Sequence, residues 1–160
     1  MVCGFGRTID RRPDVGQIAP RRGRTILSED QVVEAVSQYL IERGYREVSR
    51  SLATEQGVDL IMSHAGEQLY IEAKGAGSSR ATSARYGKAF NAGQVFDHVA
   101  KAMLKALEVV AAGRARAAIA VPADRLHVSR IDRIQPVLDE LQIAVFLVNT
   151  SGTVESVRGL

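Results

Sequence analysis

Apolar positions between residues 28 and 150 alternate between a helical period of about 3.6 and a strand period of two, and glycine or a polar turn marks most of the switches. Ser28-Glu29-Asp30-Gln31 has the S-x-x-Q form of a capping box, with acidic residues where a helix dipole favours them. Val32, Val33, Val36, Tyr39 and Leu40 continue at helical spacing until Gly44, which predicts a first helix. Tyr45 to Leu52 reads as a strand, and after a break at Gly57 the runs Val58–Ser63 and Gln68–Lys74 read as a hairpin around His64-Ala65-Gly66-Glu67. Gly75 to Gly87 is a Gly-, Ser- and Ala-rich loop. Val95, Phe96, Val99, Met103, Leu107 and Val110 recur every three or four residues, so residues 91–112 form the longest predicted helix, closed by Gly113. Ala117–Val121 is a short buried strand, Asp124–Leu141 a helix bent or interrupted near Pro136, and Ile143–Val148 a further strand. This succession predicts one α/β domain over residues 25–160, with helices packed on a mixed sheet.

The hairpin is where pattern turns into chemistry. A loop symmetric about Ala65-Gly66 opposes residues whose numbers sum to 131, which sets Asp59 across from Glu72. Directly opposed residues have Cβ atoms about 4.5–5.5 Å apart, and like charges so placed repel unless a cation lies between them. The period of two brings Lys74 onto the same face, while Val58, Leu60, Met62, Leu69, Ile71 and Ala73 form the other, wholly apolar one. Two interpretations compete for the polar face: a catalytic site, or an ordinary solvated strand face with a surface ion pair.

Charge adds an unevenly placed feature. Residues 1–24 hold six arginines against Asp10 and Asp14, which leaves 15 basic and 16 acidic residues in the remainder. The sequence pI of about 9.3 thus describes a basic arm, without apolar periodicity, that is expected to stay disordered until it meets a polyanion or else to be a plain solvated tail. A single Cys3 excludes an internal disulfide framework, and His64, His98 and His127 lack zinc-site spacing. No apolar run reaches the roughly 18 residues of a membrane helix, and the amino-terminal residues lack a signal-peptide core, so no membrane association and a cytoplasmic location are expected.

Gly57-Val58-Asp59-Leu60-Ile61 followed by Tyr70-Ile71-Glu72-Ala73-Lys74-Gly75 resembles the PD-(D/E)XK nuclease superfamily, with Val58 in place of the family's proline. The resemblance spans about residues 28–150 and is nearest in pattern to Holliday-junction resolvases and modification-dependent restriction enzymes, which share the leading helix and a step such as Gly44-Tyr45. It implies a restriction endonuclease-like αβββαβ core in which Asp59 and Glu72 bind Mg²⁺, with Mn²⁺ able to substitute. The carbonyl of Ala73 would be a further ligand, and Lys74 would orient the attacking water. Hydrolysis of an anionic phosphodiester needs a nucleophile and charge stabilisation, both of which Mg²⁺ on carboxylates provides.

Outlying positions carry two interpretations each. The family often adds a carboxylate from the first helix, for which Glu34 has the nearest spacing and Glu29 is the second choice; Glu34 lies opposite the apolar stripe and is equally explained as a solvated residue. Gln94 matches a glutamine that some members place in the helix after the E-x-K strand, and plain exposure accounts for it as well. His98 reads as a surface or partner-contacting histidine. Arg80, Arg85 and Lys88, with no acidic residue between Lys74 and Lys88, form either a clamp on the phosphate backbone of DNA or a mobile basic loop. The expected function is therefore a metal-dependent DNA endonuclease, structure-specific or restriction-like, and two-strand cleavage by so small a chain points to a homodimer. The alternative is a non-catalytic nucleic-acid-binding or assembly subunit that keeps the fold.

Overall fold

The computed structural model describes residues 26–51, 57–77, 87–113 and 115–160, so the basic arm, Arg80 and Arg85 lie outside the described residues. Helix α1 (Glu29–Ile41) begins at Ser28, whose hydroxyl accepts from the Gln31 amide while the Gln31 side chain accepts from the Ser28 amide. Both halves of the capping box are thus closed, and two amide donors that the helix itself cannot satisfy are bonded. Strands β1 (Arg46–Arg50), β2 (Leu60–His64) and β3 (Glu67–Ala73) follow, then α2 (Ala92–Ala112), β4 (Arg116–Pro122), α3 (Arg125–Glu140), β5 (Ala144–Val148) and β6 (Val154–Arg158). The first six elements run in the order αβββαβ, as the resemblance implied.

The six strands form one mixed sheet in the order β1-β2-β3-β4-β5-β6, with β3, β4 and β5 parallel and the outer pairings antiparallel. In the β2/β3 hairpin, five pairs from Leu60↔Ile71 to His64↔Glu67 follow the predicted register. Its two-residue turn holds both Ala65 (φ 51°) and Gly66 (φ 85°) in the left-handed region, the conformation that matches the twist of tight hairpins.

Alternation along the strands divides the core into two layers. Leu60, Met62, Leu69, Ile71, Ala118, Ala120 and Phe146 pack with Val32, Val33, Val36 and Leu40 of α1 on one face. Ile119, Val121, Val145 and Leu147 pack on the other face with Val95, Val99, Ala102 and Ala106 of α2 and Ile131 and Leu138 of α3. Each residue of β4 therefore serves one layer and its neighbour the other, as expected of a central parallel strand covered on both sides.

Three expectations change. The interruption near Pro136 does not occur: α3 is one run with the proline inside it, and the buried Ile131 and Leu138 on either side anchor both halves to the sheet. Strand β6 was not predicted, because Val154–Arg158 is short and its residues are half-buried or exposed. Val58 and Asp59 precede β2 instead of belonging to it, so the ladder ends one step before the Asp59/Glu72 position. No helix among the described residues is long and apolar enough to cross a membrane.

Candidate active site

Polar groups gather where β3 ends, between the start of α1 and the middle of α2. Because Leu69, Ile71 and Ala73 face α1, Glu72 between them projects toward α2, where only 4% of its side chain is exposed. Two ammonium groups meet it: Lys74 Nζ lies 2.6 Å from Glu72 Oε1, and Lys105 Nζ of α2 lies 2.8 Å from that oxygen and 2.9 Å from Oε2. Lys105 also donates to the Gly57 carbonyl at 3.2 Å, which ties α2 to the approach to Asp59. Asp59 is 7% exposed and accepts from the Ala73 amide at 2.7 Å, so its carboxylate takes the place of the next ladder bond.

Four oxygens converge on Lys74 Nζ. Glu72 Oε1 and the Ala73 carbonyl are each 2.6 Å away, Glu29 Oε2 3.4 Å and Asp59 Oδ2 3.7 Å. Glu29 arrives because Gly75 brings the chain leaving β3 against the start of α1: a Cβ at Gly75 would lie 2.7 Å from the Glu29 nitrogen and 2.9 Å from the Leu27 carbonyl. The Ala76 amide donates to that same carbonyl at 2.8 Å. The Gly75-Ala76-Gly77 segment is thus a packing joint, and Gly77 is equally tight against the Lys88 carbonyl, 2.6 Å from where a Cβ would stand.

Three carboxylates held this closely against two ammoniums perturb one another. Burial pushes the Asp59 carboxyl up to about 6, with the charges of Glu72 and Glu29 adding to it and Lys74 and the Ala73 amide opposing. Burial likewise raises Glu29 above the ordinary range against the pull of Lys74. For Lys74, burial alone would favour the neutral amine, but the hydrogen bond it donates to Glu72 and the charges of Glu29, Asp59 and Glu72 outweigh it and hold the ammonium.

Asp59, Glu72, Ala73 and Lys74 are therefore brought together, and Glu34 is not with them. Glu34 pairs with Arg50, which in turn bonds Glu47, on the α1/β1 surface, and Glu29 takes the position at the cluster. Gln94 closes the capping box of α2 by accepting from the Asn91 amide at 3.1 Å. Lys88 is exposed beside the Gly77↔Ala89 bridge. His98 is half-buried against Phe90, with ring centroids 4.3 Å apart and a buried Nδ1 that has no hydrogen-bond partner. Burial, then the positive charges of Lys74 and Lys101, hold its pKa below the ordinary value. Lys105 was missed from the sequence, although its spacing of seven and eleven residues from His98 and Gln94 places all three on one side of α2.

The donor set is one of hard oxygens, the chemistry that Mg²⁺ prefers. Among the described residues no three histidine, cysteine or acidic side chains stand in a ready metal cage, because Lys74 and Lys105 draw the carboxylates onto themselves. The residues fit a divalent cation in kind; the ammonium of Lys74 occupies the point of convergence.

No family model matches this chain, and no curated protein does. Among solved structures it is similar to the crystal structure of an FdxN element excision controlling factor protein from Anabaena variabilis, with a TM-score of 0.49 and 16% identity over 80% of this chain and 98% of that one.

Proposed function

We propose that the chain is a metal-dependent nuclease that hydrolyses phosphodiester bonds in DNA. The observation that carries this reading is the convergence of Asp59, Glu72, Glu29 and the Ala73 carbonyl on one point, at the end of a parallel strand where two helices also meet. Asp59, Glu72 and Glu29 would hold Mg²⁺, with the Ala73 carbonyl as a further donor. When bound, the cation supplies charge stabilisation for the phosphate and an acidified water. Lys74 then has a free ammonium to hold and orient the attacking water. Lys105, 47% exposed at the rim, offers a positive charge to an incoming phosphate.

The test is cleavage of linear, supercoiled, branched and single-stranded DNA by the purified full chain with Mg²⁺ or Mn²⁺. Activity that disappears with EDTA and with Glu72→Gln supports the reading. A chain that cuts none of these and gains no thermal stability from either metal would refute it. One observation favours a second reading, a nucleic-acid-binding or assembly subunit: the carboxylates are already neutralised by Lys74 and Lys105, as in a structural ion network. DNA binding that is indifferent to metal, without cleavage, is the outcome specific to it.

A further inference from the structure

Among the described residues, five of the eight large apolar side chains that stay exposed lie on α2 and α3: Phe96, Leu104, Leu107, Leu126 and Val137. Exposure of single apolar residues is ordinary, but an ordered run of them along one helix face marks a surface that is covered in use. On α2 the set is ordered. Phe96, Ala100, Leu104, Leu107 and Ala111 are all exposed and recur at intervals of four, four, three and four, which makes one stripe along nearly the whole helix. Arg130 of α3 stacks its guanidinium 5.3 Å from the Phe96 ring and borders the stripe on that side. Exposed Asp97, Lys101 and Glu108 border it on the other.

We infer that this stripe is a homodimer interface in which α2 packs antiparallel against α2 of a second copy, about a twofold axis between Met103 and Leu104. Three features select a second copy as the occupant. Large and small residues alternate so that the stripe complements itself. About that axis, residues whose numbers sum to 207 oppose each other, so Phe96 meets Ala111 of the second copy, Leu107 meets Ala100, and the two Leu104 side chains meet near the centre. The charges on the flank agree with the same register: Lys101 and Glu108, two turns apart on one helix, come within two residues of direct opposition across the interface, about 3 Å along the helix and within reach of their long side chains, and form two symmetric pairs. A face of one sign would instead repel its copy. The area is adequate as well, since a 21-residue helix is about 30 Å long and a two-helix face about 20 Å wide, a projection of roughly 600 Å² before side-chain relief is counted. Standard interfaces bury about 800 Å² of accessible surface per partner.

The stripe lies well around α2 from Lys105, so the dimer leaves both polar clusters open and its existence is tested without reference to cleavage. The experiment is sedimentation or light scattering of the full chain between about 1 and 100 µM, a range that brackets interfaces of this size. The wild type is expected to be a dimer. Leu104→Glu enters the interface twice and is expected to weaken association about a hundredfold or more, with an unchanged far-ultraviolet spectrum because the site is on the surface. Lys101→Glu should weaken the dimer and Lys101→Glu with Glu108→Lys should restore it. In a Cys3→Ser background, Ala100→Cys combined with Leu107→Cys is expected to give a covalent dimer under mild oxidation, whereas Ala100→Cys alone does not, since its mate is position 107. A monomeric wild type would show that something other than a second copy covers the stripe and would overturn the inference. A Leu104→Glu protein that still dimerises, or cross-linking by Ala100→Cys alone, would overturn this interface and its antiparallel register.

Discussion

Asp59→Asn offers the most direct measurement of what the cluster costs the fold. In the unfolded chain this carboxyl titrates near 3.8, and in the folded protein burial and the neighbouring carboxylates raise it to about 6. For an acid, a raised folded pKa means that the native state binds the proton more tightly, so ionisation opposes folding. The penalty is absent below pH 3.8, grows as pH rises through 6, and stays constant above. Each tenfold change in proton affinity is worth 1.36 kcal/mol, so the full shift corresponds to at most about 3 kcal/mol, and sharing with Glu72, Glu29 and Lys74 brings the expectation to about 1–3 kcal/mol. Asparagine keeps the shape and an oxygen that can accept from the Ala73 amide, now 2.7 Å from Asp59 Oδ2, while the charge disappears. Urea denaturation of both proteins in EDTA from pH 4 to 8 should therefore show a difference near its minimum at pH 4 that widens in favour of Asp59→Asn up to neutral pH. The change of the gap with pH is the readout, because it cancels any pH-independent cost of the amide. A gap that does not move with pH, or one that moves toward the wild type, would refute the argument. Added Mg²⁺ should then raise the melting temperature of the wild type and leave Asp59→Asn almost unchanged.

Gly75→Ala should destabilise by about 1–3 kcal/mol or more, since its Cβ meets backbone that cannot rotate away, and chemical denaturation measures it. Glu29→Gln should lower Mg²⁺-dependent cleavage at least tenfold and Glu34→Gln should leave it alone, which parallel rate measurements on one DNA substrate will show. Ala65→Asn should stabilise by about 0.5–1 kcal/mol, because asparagine tolerates the left-handed conformation that alanine adopts at φ 51°; a lower melting temperature would count against the turn assignment. Lys74→Met should cost about 2 kcal/mol or more in EDTA, by leaving three carboxylates crowded, and Mg²⁺ should recover much of it.

Local rules carried the sequence reading as far as interactions are local. The capping box at Ser28 and Gln31, the register about Ala65-Gly66 and the alternation that separates Leu69, Ile71 and Ala73 from Glu72 each involve residues a few positions apart or joined by a tight turn. The choice between Glu29 and Glu34 was different in kind. A helical wheel ranks the two by angle, while the structure selects by axial position: Glu29 stands at the end of α1 that abuts Gly75, and Glu34 is a turn and a half further along beside Arg50. That abutment brings Glu29 to Lys74, 45 positions away in sequence, and leaves as its trace only a glycine in a glycine-rich loop. Lys105 was hidden for the same reason, since its partner Glu72 is brought under α2 by the sheet. Strand β6 has no apolar run of its own because it is an edge paired only with β5.

The joint between Gly75 and the start of α1 also sets how the molecule can open. The Leu27 carbonyl is held by the Ala76 amide, and the Glu29 backbone rests against Gly75, so α1 cannot lift from the sheet without carrying one of the three carboxylates away from the other two. Partial unfolding and disassembly of the cluster are one event. Amide hydrogen exchange should report it directly: Ala76 and Val32, the first amide of α1 bonded to a backbone carbonyl, should exchange at a common rate set by that opening. A cation that bridges Glu29 to Glu72 would slow both amides together, although neither of them touches it.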